Sequence, residues 1–485
     1  MTQVTRDFAD AEHGEVSLRY AIFTMLDVEV IVASNRGPVS FALDTKNNPV
    51  VASSGGGLAG TLRRLLIGKG ATWVACSMGE ADTKAASSGL AGAGAGEGIN
   101  LVMVNLDPGI YHMAYDTVAN STLWFLHHHM MDLSRAPRFG KRWMEAWKGY
   151  RDYNQAFAGE IAQVADNDAC VLVQDYHLAL LPGILAGIRP DLRCIHFSHT
   201  PFAAPDFFGV LPTAVGRELI TAMSTAKNCG FHTEKWADSY RRSCISTGID
   251  SPTTFVSSLG VDAGLLREEA RSAKCSEAKS WVENVADGRR LIVRTDRMEP
   301  SKNVLRGLWA FDELLAEHPQ WIEQVVFLVL TYPSRQNLPE YLAYASEVET
   351  TVDYLNDKWS TKSWTPVVLD LSDDYYKSLA ALSLYDLLMV NPVRDGLNLV
   401  AKEGPLVNER NGSLLLSREA GTFGELSQAA IAVNPYDVGE TATAVHKALL
   451  LDDSERASRS TKLEELASTR TPEDWLDDQL SQALA

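Results

Sequence analysis

The stretch Leu387–Glu403 reads LLMVNPVRDGLNLVAKE. Its opening run, 387–391, is short, apolar on both faces and stopped by Pro392. That pattern predicts a strand covered on both sides, as parallel strands are. Arg394, Asp395 and Gly396 then form a polar turn, and a helical pattern follows carrying Asn398, Lys402 and Glu403. Strand, polar turn and helix make half of a βαβ unit. In open α/β sheets, ligands bind beyond the carboxyl ends of the strands. The Arg394–Asp395–Gly396 turn therefore stands where chemistry is expected.

Working outward, the same alternation fills the chain. Candidate strands are 28–34, 170–174, 193–198, 254–258, 291–295, 325–331, 367–371, 387–391, 413–417 and 431–434, with helical patterns between them, such as 58–67, 304–317 and 338–358. Strand–helix alternation predicts right-handed βαβ units and doubly wound sheets. The alternation runs twice, over roughly 28–258 and 259–465. The predicted fold is α/β, with two Rossmann-like doubly wound domains, 1–258 and 259–485, facing across a cleft. Residues 1–27 are expected to be a flexible extension. The last helix, about 466–485, is expected to pack back on the N-terminal domain. No phosphatase domain is expected after the second block.

Composition narrows the function classes. At 485 residues the chain is long enough for two cores. A net charge of −18 argues against nucleic acid as a partner, because that needs a clustered basic surface. Six scattered cysteines with no C-x-x-C pair exclude a disulfide framework or a zinc knot. The first 27 residues lack the basic-then-apolar order of a signal peptide, and no apolar run approaches about 18 residues. The expectation is a cytoplasmic protein with no membrane span; oligomeric state stays open, and a homo-oligomer is compatible.

Polar residues follow six strands: Asn35 and Arg36; Asp175, Tyr176 and His177; His199; Asp296, Arg297, Ser301 and Lys302; Ser334 and Arg335; Arg394 and Asp395. Arg297 and Lys302, five apart across a loop, both reach toward one diphosphate in this reading. A departing diphosphate needs fixed positive charge aimed at it, and Arg supplies a planar fork where Lys supplies a point charge. Helix N-terminal amides after Gly396 add donors. The Gly55-Gly56-Gly57 run opens a helix and lets a backbone approach a phosphate. Two metal-like patterns carry no weight. Asp166–Asn167–Asp168 stands before its strand, at the wrong end of the sheet. His127, His128 and His129 are consecutive and point different ways. No metal and no cofactor is expected.

With these residues assembled, the chain resembles the trehalose-6-phosphate synthase family, retaining glycosyltransferases of family 20 with the GT-B fold. The resemblance covers roughly 28–470. It rests on Ser34-Asn35-Arg36, Gly56-Gly57-Leu58, Asp175-Tyr176-His177-Leu178, His199-Thr200-Pro201-Phe202, Arg297 with Ser301-Lys302, the 331–335 stretch and the Arg394–Glu403 run. It implies transfer of glucose from an NDP-glucose, GDP- or UDP-linked, to glucose 6-phosphate, giving α,α-trehalose 6-phosphate. It also implies roles. Arg36, Tyr115, Trp124 and Arg335 would hold the acceptor phosphate. Asp175 would engage acceptor hydroxyls, and His199 the donor glucose. Arg297 and Lys302 would bind the diphosphate. Asp395 would hold donor-sugar hydroxyls, helped by Gly396, Asn398, Leu399 and Val400, with Gly56 and Gly57 also on the donor side. Glu403 would accept from the ribose. The implied mechanism is front-face attack with retention, which needs no carboxylate nucleophile.

Three positions depart from the family pattern. Cys76 stands where a Trp is frequent, Thr200-Pro201-Phe202-Ala203 replaces Ile-Pro-Phe-Pro, and the 368–374 loop is unusual. Its Asp370 suits a guanine edge, which leans the donor toward GDP-glucose. Two rivals stand: a cyclitol-coupling relative of the validoxylamine-phosphate-synthase type, suggested by the 404–410 run, and a non-catalytic sugar-phosphate sensor.

Overall fold

A computed structural model describes residues 28–54, 57–90, 98–250 and 252–485. The extension 1–27, Gly55, Gly56 and most of the glycine-rich 89–98 segment lie outside the described residues. The chain divides into two compact units. The first holds the described residues up to His127, Met131–Ser257 and Pro472–Ala485; the second holds His128–Met130 and Ser258–Thr471.

The first unit is built on β1 (Val30–Ser34), the hairpin β2 (Val39–Leu43) and β3 (Pro49–Ser54), then β4 (Ala71–Cys76), β5 (Ile99–Val104), β6 (Cys170–Gln174), β7 (Arg193–Ser198), β8 (Asn228–Phe231) and β9 (Thr254–Val256). Its main sheet is parallel, in the order β5-β4-β1-β6-β7-β8-β9. The second unit carries β10 (Arg290–Met298), β11 (Val325–Pro333), β12 (Val367–Asp370), β13 (Leu387–Val390), β14 (Ser413–Ser417) and β15 (Ile431–Val433), parallel in the order β12-β11-β10-β13-β14-β15. Counted along each main sheet, both orders contain 3-2-1-4-5-6, the doubly wound order of dinucleotide-binding domains. Both sheets therefore reverse direction beside their first strand: between β1 and β6, and between β10 and β13.

Period-two alternation explains how each strand serves two cores. In the second unit, Leu291, Val293, Leu328, Leu330, Leu388 and Val390 pack on one face, under helices Ala273–Ala286 and Tyr375–Leu384. Ile292, Phe327, Val329, Leu387 and Met389 pack on the other, under Val304–Glu317 and Pro339–Trp359. A strand covered on both faces has no polar side, which is why these runs read as continuously apolar.

The structure adds strands that the apolar runs do not announce. β8 is only NCGF, too short and too mixed to stand out, and Gly230 is required there because a Cβ would collide with the Phe197 and Phe255 rings. β4, β5 and the β2–β3 hairpin also lie outside the candidate runs. β10 runs to Met298, three residues beyond expectation, because its pairing with β11 continues from Arg290↔Val325 to Met298↔Pro333. Asp296 and Arg297 are thus strand residues rather than loop residues. The final helix is Pro472–Leu484, while Leu466 and Ala467 still belong to the preceding helix Asp453–Ala467. It contributes to the first unit, with Trp475 and Leu480 fully buried.

Candidate active site

In the second unit, residues from both sides of the switch point converge. β10 delivers Arg297, and the tight turn Pro300–Lys302 delivers Lys302. Arg294, wholly buried on β10, fixes that turn. Its Nε donates to Asp296 Oδ2 at 2.9 Å, and its Nη atoms donate to the carbonyls of Asn303 and Lys302. Gly307 makes room for this guanidinium, since a Cβ there would lie 2.8 Å from Arg294 Nη1. Lys302 Nζ meets Asp395 Oδ2 at 2.6 Å, spanning from the β10 side to the β13 side.

Asp395 is bracketed in turn. Asn398, at φ 79°, donates from Nδ2 to Asp395 Oδ2 at 3.1 Å, and the Leu397 amide approaches Oδ1 at 3.4 Å. Asn398 Oδ1 also accepts from the Ala401 amide at 3.3 Å, so one side chain ties the acidic turn to helix Val400–Val407. Burial alone would raise the Asp395 carboxyl, but Lys302 and Asn398 outweigh it and hold it below the usual carboxylate range. Burial likewise opposes the charge on Lys302, and Asp395 and Asp296 outweigh it, so the ammonium is held above its usual value.

A second cationic group adjoins this one. Arg297 Nη1 pairs with Glu299 Oε1 at 2.8 Å, and Glu299 is buried. Ser334 Oγ donates to the same Glu299 oxygen at 3.1 Å. Arg335, at φ 45°, bonds Tyr341 Oη and lies with its guanidinium carbon 5.4 Å from that ring's centroid. Burial would raise the Glu299 carboxyl, but Arg297, Arg335 and Lys302 outweigh it and keep the group an anion. Arg297 keeps 45% of its side chain exposed, so the cation remains reachable by a ligand.

The first unit gathers the other expected residues. Trp73 Nε1 donates to Ser34 Oγ at 2.8 Å, and Ser34 Oγ donates to the Arg36 carbonyl at 2.7 Å, which fixes the turn that carries the Arg36 side chain. Tyr153 Oη donates to Asn35 Oδ1 at 2.6 Å. Tyr115, on the π-helical segment Met113–Leu123, stacks between Tyr111 and His177 at centroid distances of 5.1 and 5.5 Å. Trp124 is buried and meets Phe125 edge-on. Asp175 follows β6 at φ 71°; its Oδ1 accepts from the His199 amide at 3.2 Å and its carbonyl from His196 Nε2 at 3.2 Å. Cys76 is buried beside Tyr153, and burial pushes its thiol up to about 12, so it is inert.

Two observations bear on the expected roles of His199 and Asp370, and a third on Lys402, which had none. His199 has both ring nitrogens engaged within this unit, Nδ1 with His232 Nε2 at 3.1 Å and Nε2 with Gln174 Oε1 at 2.9 Å, rather than an N–H held ready for a sugar. Asp370 is also engaged: Oδ2 takes Lys377 Nζ at 2.6 Å and Oδ1 the Ser372 amide at 2.8 Å, so this carboxylate already has a cation partner. Lys402, inside the most specific run, is a buried anchor bonded to Ser258 Oγ, the Leu259 carbonyl and Glu425. Arg294, Glu299, Gln174 and His232 support the site, and sequence reasoning misses all four. A polar residue inside a strand, such as Arg294 in LIVRTD, is the one sequence signal that points to any of them.

The sequence model of Glycosyltransferase family 20 matches residues 28–484. The chain belongs to glycosyltransferase family 20. Among similar family 20 proteins, the UDP-forming alpha,alpha-trehalose-phosphate synthase of Emericella nidulans is 30% identical over 78% of this chain and 77% of its own length. The UDP-forming synthase A of Dictyostelium discoideum is 28% identical over 92% of this chain, which spans 61% of that protein's length. Among solved structures, the N-terminal domain of Candida albicans trehalose-6-phosphate phosphatase superposes with a TM-score of 0.83 at 24% identity, covering 95% of this chain and 97% of that one. As a family 20 member with two Rossmann-like domains, the chain is a glycosyltransferase. Among the described residues, no helix is long and apolar enough to cross a membrane.

Proposed function

We propose that this glycosyltransferase forms α,α-trehalose 6-phosphate from UDP-glucose and glucose 6-phosphate. The observation that carries the reading is the Lys302–Asp395 pair at the second unit's switch point, with Arg297 beside it. A cation for the departing diphosphate and a carboxylate for sugar hydroxyls stand 2.6 Å apart, where nucleotides bind in doubly wound sheets. The second unit is thus the donor domain. Glu403, with the amides from Gly396 to Val400, receives the ribose and diphosphate. The first unit is the acceptor domain: Arg36 and Tyr115 serve the phosphate, and Asp175 orients the attacking hydroxyl. Uridine is favoured over guanine by the engagement of Asp370 and by the UDP-forming relatives.

The three carboxylates beside the donor cations are all held by partners, so none is poised as a nucleophile: Asp395 by Lys302 and Asn398, Asp296 by Arg294, and Glu299 by Arg297 and Ser334. Front-face transfer with retention fits this, the leaving phosphate oxygen taking the acceptor proton while fixed cations stabilise the charge. The test is nucleoside-diphosphate release with glucose 6-phosphate and UDP-, GDP- or ADP-glucose, without added metal, the product identified by mass and anomeric NMR. Acceptor-dependent UDP release with an α,α-linked disaccharide phosphate is expected. Release with GDP-glucose alone overturns the base assignment. No product from any glucose donor overturns the synthase reading in favour of cyclitol coupling or sugar-phosphate sensing.

A further inference from the structure

A directional chain of hydrogen bonds runs through the first unit from the last helix to the ring of His199, the residue whose peptide N–H meets Asp175. The Trp475 carbonyl can only accept, and Gln479 Nε2 donates to it across a long 3.5 Å contact. That orientation presents Gln479 Oε1, which accepts from Gln174 Nε2 at 3.0 Å. Gln174 Oε1 then faces His199 Nε2 at 2.9 Å, and an amide oxygen requires that nitrogen to carry the proton. The neutral ring is left with a bare Nδ1, which accepts from His232 Nε2 at 3.1 Å. Gln479 is fully buried and Gln174 nearly so, so neither amide can exchange its partner for water. The fixed ring also packs against Trp475, centroids 5.6 Å apart, and the His199 peptide N–H holds Asp175 Oδ1.

We infer that Gln479, acting through Gln174, is a positioning residue that locks the His199 ring in its Nε2–H tautomer and in place, and so holds the His199 peptide N–H that bonds the Asp175 carboxylate. The inference rests on the proposed role of Asp175 toward the acceptor. Asp175 itself holds an uncommon φ of 71°, a backbone conformation that its surroundings must maintain. A displacement of about 1 Å at a reacting group costs up to about 100-fold in rate.

Two variants separate positioning from packing. Gln479→Leu keeps the volume and removes the acceptor; Gln479→Glu keeps an acceptor for Gln174 Nε2. If the residue only filled space, the apolar variant would be the milder one. The expected order is the reverse: in Gln479→Leu, kcat falls about tenfold or more with little change in KM for either substrate, and Gln479→Glu recovers most of it. Long-range ¹H–¹⁵N spectra of ¹⁵N-histidine protein, with His199 assigned from a His199→Asn variant, give an independent reading. A single Nε2–H neutral ring is expected in the wild type and in Gln479→Glu, and tautomer exchange in Gln479→Leu. An Nδ1–H ring in the wild type, or an unchanged tautomer in Gln479→Leu, overturns the relay. These spectra stand whether or not the wild type forms disaccharide, so failure of the relay and failure of the synthase reading are told apart.

Discussion

Lys302 and Arg297 each offset a carboxylate, and that pairing sets what their removal does. Lys302 is mostly buried and offsets Asp395, so Lys302→Ala removes the proposed diphosphate cation and also leaves a largely covered carboxylate that has lost its ion pair and keeps the Asn398 amide. Arg297→Ala removes a half-exposed cation whose partner Glu299 keeps Ser334. Each is expected to lower kcat/KM by roughly 10²–10³, and each should also lower Tm, because Lys302→Ala leaves Asp395, and Arg297→Ala the buried Glu299, without its closest cation. Steady-state UDP release and thermal unfolding check both. His196 gives a pH effect of known sign. Its Nε2 donates to the Asp175 carbonyl, its Nδ1 has no hydrogen-bond partner among the described residues, and burial lowers its pKa from 6.5 to about 4. The unfolded chain binds the proton first. The stabilisation is therefore complete above pH 6.5 and is lost as pH falls toward 4, by about 3 kcal/mol for this group. Denaturant unfolding at about pH 7.5 and about pH 5 should show the loss, and His196→Gln should flatten it.

At the scale of elements, the acidic turn after β13 depends on the loop after β14. Asp395 and Ala420 form a bridge, the Gly421 amide donates to the Asp395 carbonyl at 3.1 Å, and the Thr422 amide donates to the Leu397 carbonyl at 2.9 Å. A Cβ on Gly421 would collide with the Gly396 carbonyl, and neither backbone can yield without moving Asp395. Gly421→Ala is expected to cost about 1–3 kcal/mol of stability and to lower donor affinity beyond that loss. Isothermal titration with UDP at a temperature where the variant is fully folded measures it; unchanged affinity would refute the dependence. The strand and helix of this unit are legible from 387–403 because covered strands and amphipathic helices have strong periods. The 420–422 contact is not, because nothing in a Gly-Thr pair announces which distant turn it meets.

At the scale of the molecule, the first unit is closed by residues from the far end of the sequence. Trp475 is fully buried and meets the Phe197 ring edge-on, Lys227 Nζ donates to the Ala483 carbonyl, and Ser257 Oγ donates to Asp478. Trp475→Ala removes a large buried ring and is expected to destabilise the first unit by about 3–5 kcal/mol. Hydrogen exchange should then rise across β6, β7 and β8 while β10, β11 and β13 keep their protection. Uniform exchange across both sheets would contradict that assignment.

Sequence alone determined the two rounds of strand–helix alternation, and with them the doubly wound class, because burial on both faces forces apolar runs of strand length. It also determined which polar residues follow β1, β6 and β13, although Asp296 and Arg297, expected after β10, lie within that strand. Only the tertiary structure decided the use of each group. Lys402 carried no expected role and is an anchor bonded to Ser258 and Leu259; Asp370 looked available and is held by Lys377. Gln479 looked like any polar residue on a terminal helix and bonds Gln174, 305 positions away. The physical reason is the same in each case. A side chain's type fixes which bonds it can make, but burial and the partner brought by a distant element fix which bond it does make.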